Sequence, residues 1–282
     1  MLSEIERTAT LGDHAAIMAA CEPGVGLCTI VGIDGSFSRR LGAQLAVRGD
    51  GTTVGSLADG CLEAQLASDI SRLDRPTILR YGAGSDTIDF RLPCGGGLDI
   101  LLDPAPDRQA CRAVVERLQD RRPAQLKLPD ASPLRLRTYV PRLRIVSFGE
   151  GPELSMLGQL AMALGVELDL RTKDDLTLGE AAPDCCFDPW TAALLLFHDH
   201  EWEAALLEQA LTGEAFYIGA QGGENARIQR ALTLSARGLS EDAIARISSP
   251  VGLIPNCKDP AALALSALAE IVGAYQHRLD PA

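Results

Sequence analysis

From residue 143 onward the chain alternates short apolar runs with longer amphipathic ones, and this alternation limits the fold more than any other feature. Strands are predicted at 143–148, 167–170, 192–197 and 215–218, and helices at 152–164, 201–211, 223–237, 241–247 and 260–277. Nearly continuous apolar strands separated by helices predict a parallel sheet buried on both faces. The first half has another rhythm. Helices are predicted at 4–20, 61–73 and 107–118, and strands at 27–33, 42–47, 53–57, 77–81, 87–92 and 98–102. Arg48-Gly49-Asp50-Gly51 reads as the tight turn of a hairpin. Prolines 123, 129, 133 and 141 punctuate the stretch 121–144. They predict edge strands leading to a domain boundary near Pro141. The expected class is α/β: a mixed α+β domain over 1–140, then a Rossmann-like, doubly wound parallel-sheet domain over 141–282.

The 282 residues suffice for two domains, each with its own core. A composition of 46% apolar and 23% charged residues excludes a disordered chain. No apolar run approaches the roughly 18 residues of a membrane span. Met1-Leu2-Ser3-Glu4-Ile5-Glu6-Arg7 has none of the marks of a signal peptide, so a cytoplasmic protein is expected. A long chain with no export signal favours reduced thiols over disulfides among its eight cysteines, and without a C-x-x-C pair they lack zinc-site spacing. A net charge of −12 argues against nucleic acid as a partner.

Two cysteines lie among glycines. One is in Gly55-Ser56-Leu57-Ala58-Asp59-Gly60-Cys61-Leu62-Glu63, and the other in Leu92-Pro93-Cys94-Gly95-Gly96-Gly97. Cys61 opens a predicted helix, where unpaired amides and the positive dipole end favour a thiolate. Glycines let a flat or anionic ligand approach the backbone. Packing as small buried hydrophobes is the alternative for both thiols. Upstream, Ser36, Arg39 and Arg40 crowd a turn rich in hydroxyls.

In the second half, Phe148-Gly149-Glu150-Gly151-Pro152-Glu153-Leu154 joins a strand to a helix as G-x-G-x-x-L, the place of a Rossmann-like phosphate turn. Glu150 and Glu153 oppose a phosphate there, and Pro152 removes an amide donor. Asp169 stands where a ribose-binding acid is expected. His198 and His200, two apart in Phe197-His198-Asp199-His200, suit a metal pair only with a third ligand; the simpler expectation is a helix cap by His198 or Asp199 lining a cleft. Tyr217-Ile218-Gly219-Ala220-Gln221-Gly222-Gly223 is a second strand–glycine–helix junction. Its amides, aided by Arg227 and Arg230, are expected to meet an anion.

Taken in order, these pieces resemble the XdhC/CoxI (XdhC/CoxF) accessory proteins of molybdenum hydroxylases. Gly55-Ser56 with Gly60-Cys61-Leu62-Glu63 is similar to the family's GS…GGC[LV]E signature. Gly35-Ser36 with Arg39 and Gly42-Ala43 is similar to its GSxPRxxGA, and Cys94-Gly95-Gly96 to its CGG. Tyr217-Ile218-Gly219, Arg246-Ile247 with Pro250-Val251-Gly252-Leu253, and Glu270-Ile271 are similar to its YIG, RIxxPxGL and AEI. The chain departs from the pattern at Asp59, at Ser38, at Glu150 and Pro152 within the usual FGAGH, and at 222–225 in place of G-S-R-R.

The resemblance implies a maturation chaperone rather than a turnover enzyme. Such a protein binds molybdenum cofactor (molybdopterin, alone or as a dinucleotide), holds it while a cysteine desulfurase supplies sulfur, and delivers it to an apo molybdenum hydroxylase of the xanthine dehydrogenase or CO dehydrogenase type. The implied contacts are Ser36, Arg39, Arg40, Gly60, Cys61, Glu63, Cys94, Gly95 and Gly96, with Gly149, Gly151, His198, Asp199, Gly219, Gly222 and Gly223 in the second domain. Cys61 is the contact for molybdenum or sulfur, and the two arginines suit the pterin phosphate. An NAD(P)-dependent oxidoreductase using the second domain is the alternative, although the acids at 150 and 153 speak against NAD(P). A docking protein bridging hydroxylase and desulfurase is a third reading. Strands within 121–140 are candidates to pair between copies in a homodimer.

Overall fold

A computed structural model describes residues 12–58, 60–85 and 95–279. The predicted strand 87–92, Cys94, Asp59 and the first part of the predicted N-terminal helix lie outside the described residues. The chain divides into two compact units, Met1–Pro141 and Arg142–Ala282.

The first unit is built on an antiparallel sheet of β1 (Gly26–Asp34), β2 (Gln44–Val47), β3 (Thr53–Gly55), β4 (Thr77–Gly82) and β5 (Gly97–Asp103), in the order β3-β2-β1-β5-β4. Alternate side chains go to opposite faces. Leu27, Val31, Ala46 and Leu101 meet α1 (Gly12–Ala19) and α3 (Arg108–Gln119) on one side. Cys28, Ile30, Leu45, Ile100 and Leu102 meet α2 (Cys61–Ile70) on the other. Asp107 caps α3, accepting from the Gln109 and Ala110 amides. The stretch 121–144 does not supply edge strands to this sheet. Among the described residues its β6 (Ala124–Lys127) and β7 (Leu136–Tyr139) pair only with each other, as a separate two-stranded sheet. The reason is their single apolar face: Ala124, Leu126 and Tyr139 join the α1–α3 core, and the Tyr139 hydroxyl bonds Gln44 on β2.

The second unit holds a parallel sheet of β8 (Arg144–Gly149), β9 (Glu167–Arg171), β10 (Thr191–Leu196), β11 (Tyr217–Ala220) and β12 (Ile247–Ser248), ordered β9-β8-β10-β11-β12. Ile145, Ala192, Leu194 and Leu196 pack toward α4 (Pro152–Leu164) and α8 (Pro260–Leu279). Val146, Phe148, Ala193, Leu195 and Phe197 pack toward α5 (Glu203–Thr212) and α6 (Glu224–Ala236), with α7 (Glu241–Ile244) beyond. Helices thus cover both faces, as expected. The helix predicted at 201–211 instead starts as a 3₁₀ turn over His200–Trp202, because Asp199 captures the Glu201 amide. The strand order reverses between β8 and β10, so the crevice for a ligand opens at their carboxyl ends. Among the described residues, no helix is long and apolar enough to cross a membrane.

Candidate functional site

In the first unit, antiparallel pairing brings Asp34, Gly55 and Gly82, which end β1, β3 and β4, to the same end of the sheet as Gln44 and Gly97, which begin β2 and β5. The ends of the connections at 35–43, after Gly55, after Gly82 and before Gly97 therefore lie at one end of the sheet. Next to these ends stand Ser36, Arg39 and Arg40, then Gly60 with Cys61 and Glu63 after it, and Gly95 and Gly96. Gly35 and Gly96 lie close: a Cβ on Gly35, at φ +84°, would stand 3.5 Å from the Gly96 Cα. Arg39 donates from Nε to the Ser56 carbonyl at 3.2 Å and from Nη2 to the Ser56 hydroxyl at 3.4 Å. This ties the first loop to the second.

Cys61 is exposed as the first residue of α2. Gly60, at φ +94°, turns the chain into the helix with open space where its Cβ would be. Glu63 has a different task from the one expected. Its Oε1 accepts the Leu57 and Ala58 amides at 2.9 and 2.6 Å, and its Oε2 accepts the Gly60 amide at 2.8 Å. Both oxygens are thus occupied in holding the turn that presents Cys61. Burial alone pushes its pKa up, but the backbone donors outweigh burial and hold the carboxyl below its ordinary value. Ser36 and Arg40 stand exposed on the first loop. Cys94 is outside the described residues.

Sequence reasoning missed two arginines here. Arg80 on β4 donates to Asp99 on β5 at 3.1–3.2 Å, to Asp34 at the end of β1 at 2.9 Å, and to the Ala83 carbonyl at 2.9 Å. Arg137 on β7 donates from Nε to the Gly42 carbonyl at 2.6 Å. Neither belongs to a motif. The only local signal was glycine at 32, 42 and 97, where backbone and side chain approach closely.

The second unit redistributes the charges expected at its phosphate turn. Lys173, following β9, places Nζ 2.8 Å from Glu150 and 3.7 Å from Asp199, over the Trp202 ring at 5.4 Å. Lys173 was missed because it is 23 residues from Glu150. Glu153 is buried, with Oε1 3.7 Å from His198 Nε2 and Oε2 unpartnered. Asp169 lies within β9 and pairs with Arg171 at 2.8 Å. His198 and His200 meet different carboxylates: His198 Nε2 lies 3.7 Å from Glu153 and His200 Nδ1 3.0 Å from Glu203, and no group of three metal-binding side chains occurs among the described residues. Arg230 and Arg227 are committed as well. Arg230 is buried against Glu203 at 2.8 and 3.1 Å, and Arg227 pairs with Glu224.

The glycines divide by role. Gly149 is needed where β8 and β10 touch, since its Cβ would lie 2.6 Å from the Leu196 carbonyl. Gly219 is buried within β11, where a Cβ would meet Tyr217 and Val251 at 2.8–2.9 Å, so packing explains it. Gly151, at φ +89°, makes the turn into α4, and Gly222 packs over His200 and Ala226. Only Gly223 of this set borders open space. The second unit carries ten basic and twenty acidic side chains. That field and the pairing of Lys173 disfavour a pyrophosphate at the β8–α4 turn.

Comparison with known proteins extends over both units. Residues 145–271 match the XdhC Rossmann domain, and residues 20–82 match the XdhC and CoxI family. The chain is 33% identical over 274 residues to the molybdenum cofactor insertion chaperone PaoD of Escherichia coli strain K12, covering 90% of this chain and 85% of that protein. It is 23% identical over 310 residues to a probable xanthine dehydrogenase component of Bacillus subtilis strain 168, covering 87% and 92%. A crystal structure described as a xanthine dehydrogenase from Bacillus halodurans superposes with a TM-score of 0.72 at 20% identity, over 93% of this chain and 95% of that one. That last likeness concerns the fold. Similarity to PaoD along nearly the whole length, together with both domain matches, establishes that the chain belongs to the XdhC and CoxI family.

Proposed function

We propose that this protein is a maturation factor for molybdenum enzymes, carrying molybdenum cofactor as cargo to a hydroxylase of the xanthine dehydrogenase or CO dehydrogenase type. The observation that carries this reading is the convergence of three glycine-bearing loops and the exposed Cys61 at one end of the first unit's sheet. Kinship with an insertion chaperone supports it. The donor set suits the cargo. A thiol is a soft ligand for molybdenum. Arg39 offers a guanidinium for the pterin phosphate. Gly60 and Gly95 leave open space beside the backbone for a flat ring system.

In this reading Glu63 fixes the turn at 57–60, Cys61 holds the molybdenum end, and Arg39 orients the phosphate. Retention lasts while a cysteine desulfurase supplies the sulfido group, in the cytoplasm, and release follows docking to the apo-hydroxylase. The second unit serves partner contact rather than hydride transfer, because Glu150, Glu153 and Asp199 make its β8–α4 turn acidic and Lys173 there is paired.

The test is co-expression with the cofactor pathway, followed by pterin fluorescence after oxidation and molybdenum by mass spectrometry. Wild type is expected to carry both in similar amounts. Cys61→Ser is expected to carry much less metal, and Arg39→Ala much less of both. A Cys61→Ser protein loaded and delivering like wild type refutes the thiol's role. Folded wild type without pterin, from cells with an active pathway, refutes cargo carrying and favours a docking protein.

A further inference from the structure

We propose that Arg80 is a positioning residue that locks the 35–43 loop to residues 83–85 and 95–96 at one end of the sheet. The functional consequence rests on the cargo reading above; the clasp itself does not. Arg80 sits on β4, an edge strand, and reaches across β5 to β1. Its guanidinium joins Asp34, the last residue before the first loop, to the Ala83 carbonyl, the start of the other, with Asp99 between them.

The sheet is shaped around this contact. Gly32 lies opposite Asp99, and a Cβ there would fall 2.5 Å from the Asp99 carboxylate. Gly97 lies opposite both Asp34 and Gly82, and a Cβ there would run into the Arg80 guanidinium and the Ala83 carbonyl. Two glycines on two strands thus vacate the space that one arginine and one aspartate fill. Above them Gly35 meets Gly96, and the Ala83 amide donates to the Gly96 carbonyl at 2.9 Å. A planar fork with five donors reaches three separated acceptors at once, whereas the three donors of a lysine radiate from a single nitrogen.

Arg80→Gln, Arg80→Lys and Asp34→Asn are compared with wild type and with Arg75→Gln, which alters an exposed arginine outside the clasp. Two readouts are taken: bound molybdopterin with its dissociation rate, and amide hydrogen exchange over 35–42, 82–85 and 62–70. Both Arg80 variants are expected to melt as cooperatively as wild type, to exchange at least tenfold faster at 35–42 and 82–85 but not at 62–70, and to release pterin at least tenfold faster. Asp34→Asn is expected to speed exchange mainly at 35–42. Exchange at wild-type rates in Arg80→Gln overturns the clasp, whether or not wild type carries pterin. Faster exchange with unchanged pterin release overturns its role in positioning cargo. If wild type carries no pterin, the cargo reading fails and exchange alone judges the clasp.

Discussion

Glu203→Ala should unfold the second unit far more readily than any surface substitution. The Glu203 and Arg230 side chains are 2% and 4% exposed and joined by two bonds of 2.8 and 3.1 Å. Arg230 also donates to the Ser249 hydroxyl and the Gln221 carbonyl, each at 2.8 Å. It thereby ties α5 and α6 to the loops following β11 and β12. Removing the carboxylate leaves a buried guanidinium without its counter-charge, at a cost of about 3–5 kcal/mol. Replacing both partners by apolar residues of similar volume, Glu203→Leu with Arg230→Met, should cost much less, because no unpaired charge remains. Both tryptophans, Trp190 and Trp202, lie in the second unit, so tryptophan fluorescence follows that unit's unfolding selectively. With a urea dependence of about 1–3 kcal/mol per molar, the Glu203→Ala midpoint should fall by more than about 1 M. A loss below about 1 kcal/mol, or a double variant as unstable as the sum of the two single changes, would refute the reasoning.

Other outcomes follow from the same geometry. Glu63 has a folded-state pKa below its unfolded value, so its contribution is present above the ordinary glutamate pKa of about 4.3 and lost as pH falls through the lowered native value. Glu63→Gln should therefore be less stable than wild type at pH 7 and converge with it in acid; a pH-independent difference in melting temperature contradicts this. Iodoacetamide with peptide mapping should label exposed Cys61 and Cys186 in the native protein, while Cys28 and Cys111 label only on unfolding. Burial raises the pKa of Cys28 and of Cys111, the latter to about 11, and native labelling at wild-type Cys28 would contradict its placement. Calorimetric titration with NADPH should give no saturable heat at millimolar nucleotide; micromolar binding would restore the oxidoreductase reading.

Local features were legible in the sequence because their causes lie within a few residues. Asp107 caps α3 through amides two and three positions on, and Pro152 and Gly165 bound α4 at its first turn and its left-handed stop. Alternating burial in β6 and continuous burial in β10 followed from the pattern of apolar residues alone. Motif spacing singled out Ser36, Arg39, Gly60 and Cys61, which share one end of a sheet. The structure alone revealed what holds them. Arg80 is 46 residues from Asp34, Arg137 is 95 from Gly42, and Arg230 is 27 from Glu203. Such pairs depend on strand order and register, and a slip of one residue turns a side chain to the opposite face. Lys173 neutralises Glu150 only because β9 runs beside β8, and the crevice opens there only because β10 lies on the other side of β8. The sequence by itself determined which segments form strands and helices and where the glycine-rich turns fall, since those preferences act between near neighbours. Which charges meet was decided by tertiary structure, since a charge finds its partner only after the sheet has been ordered.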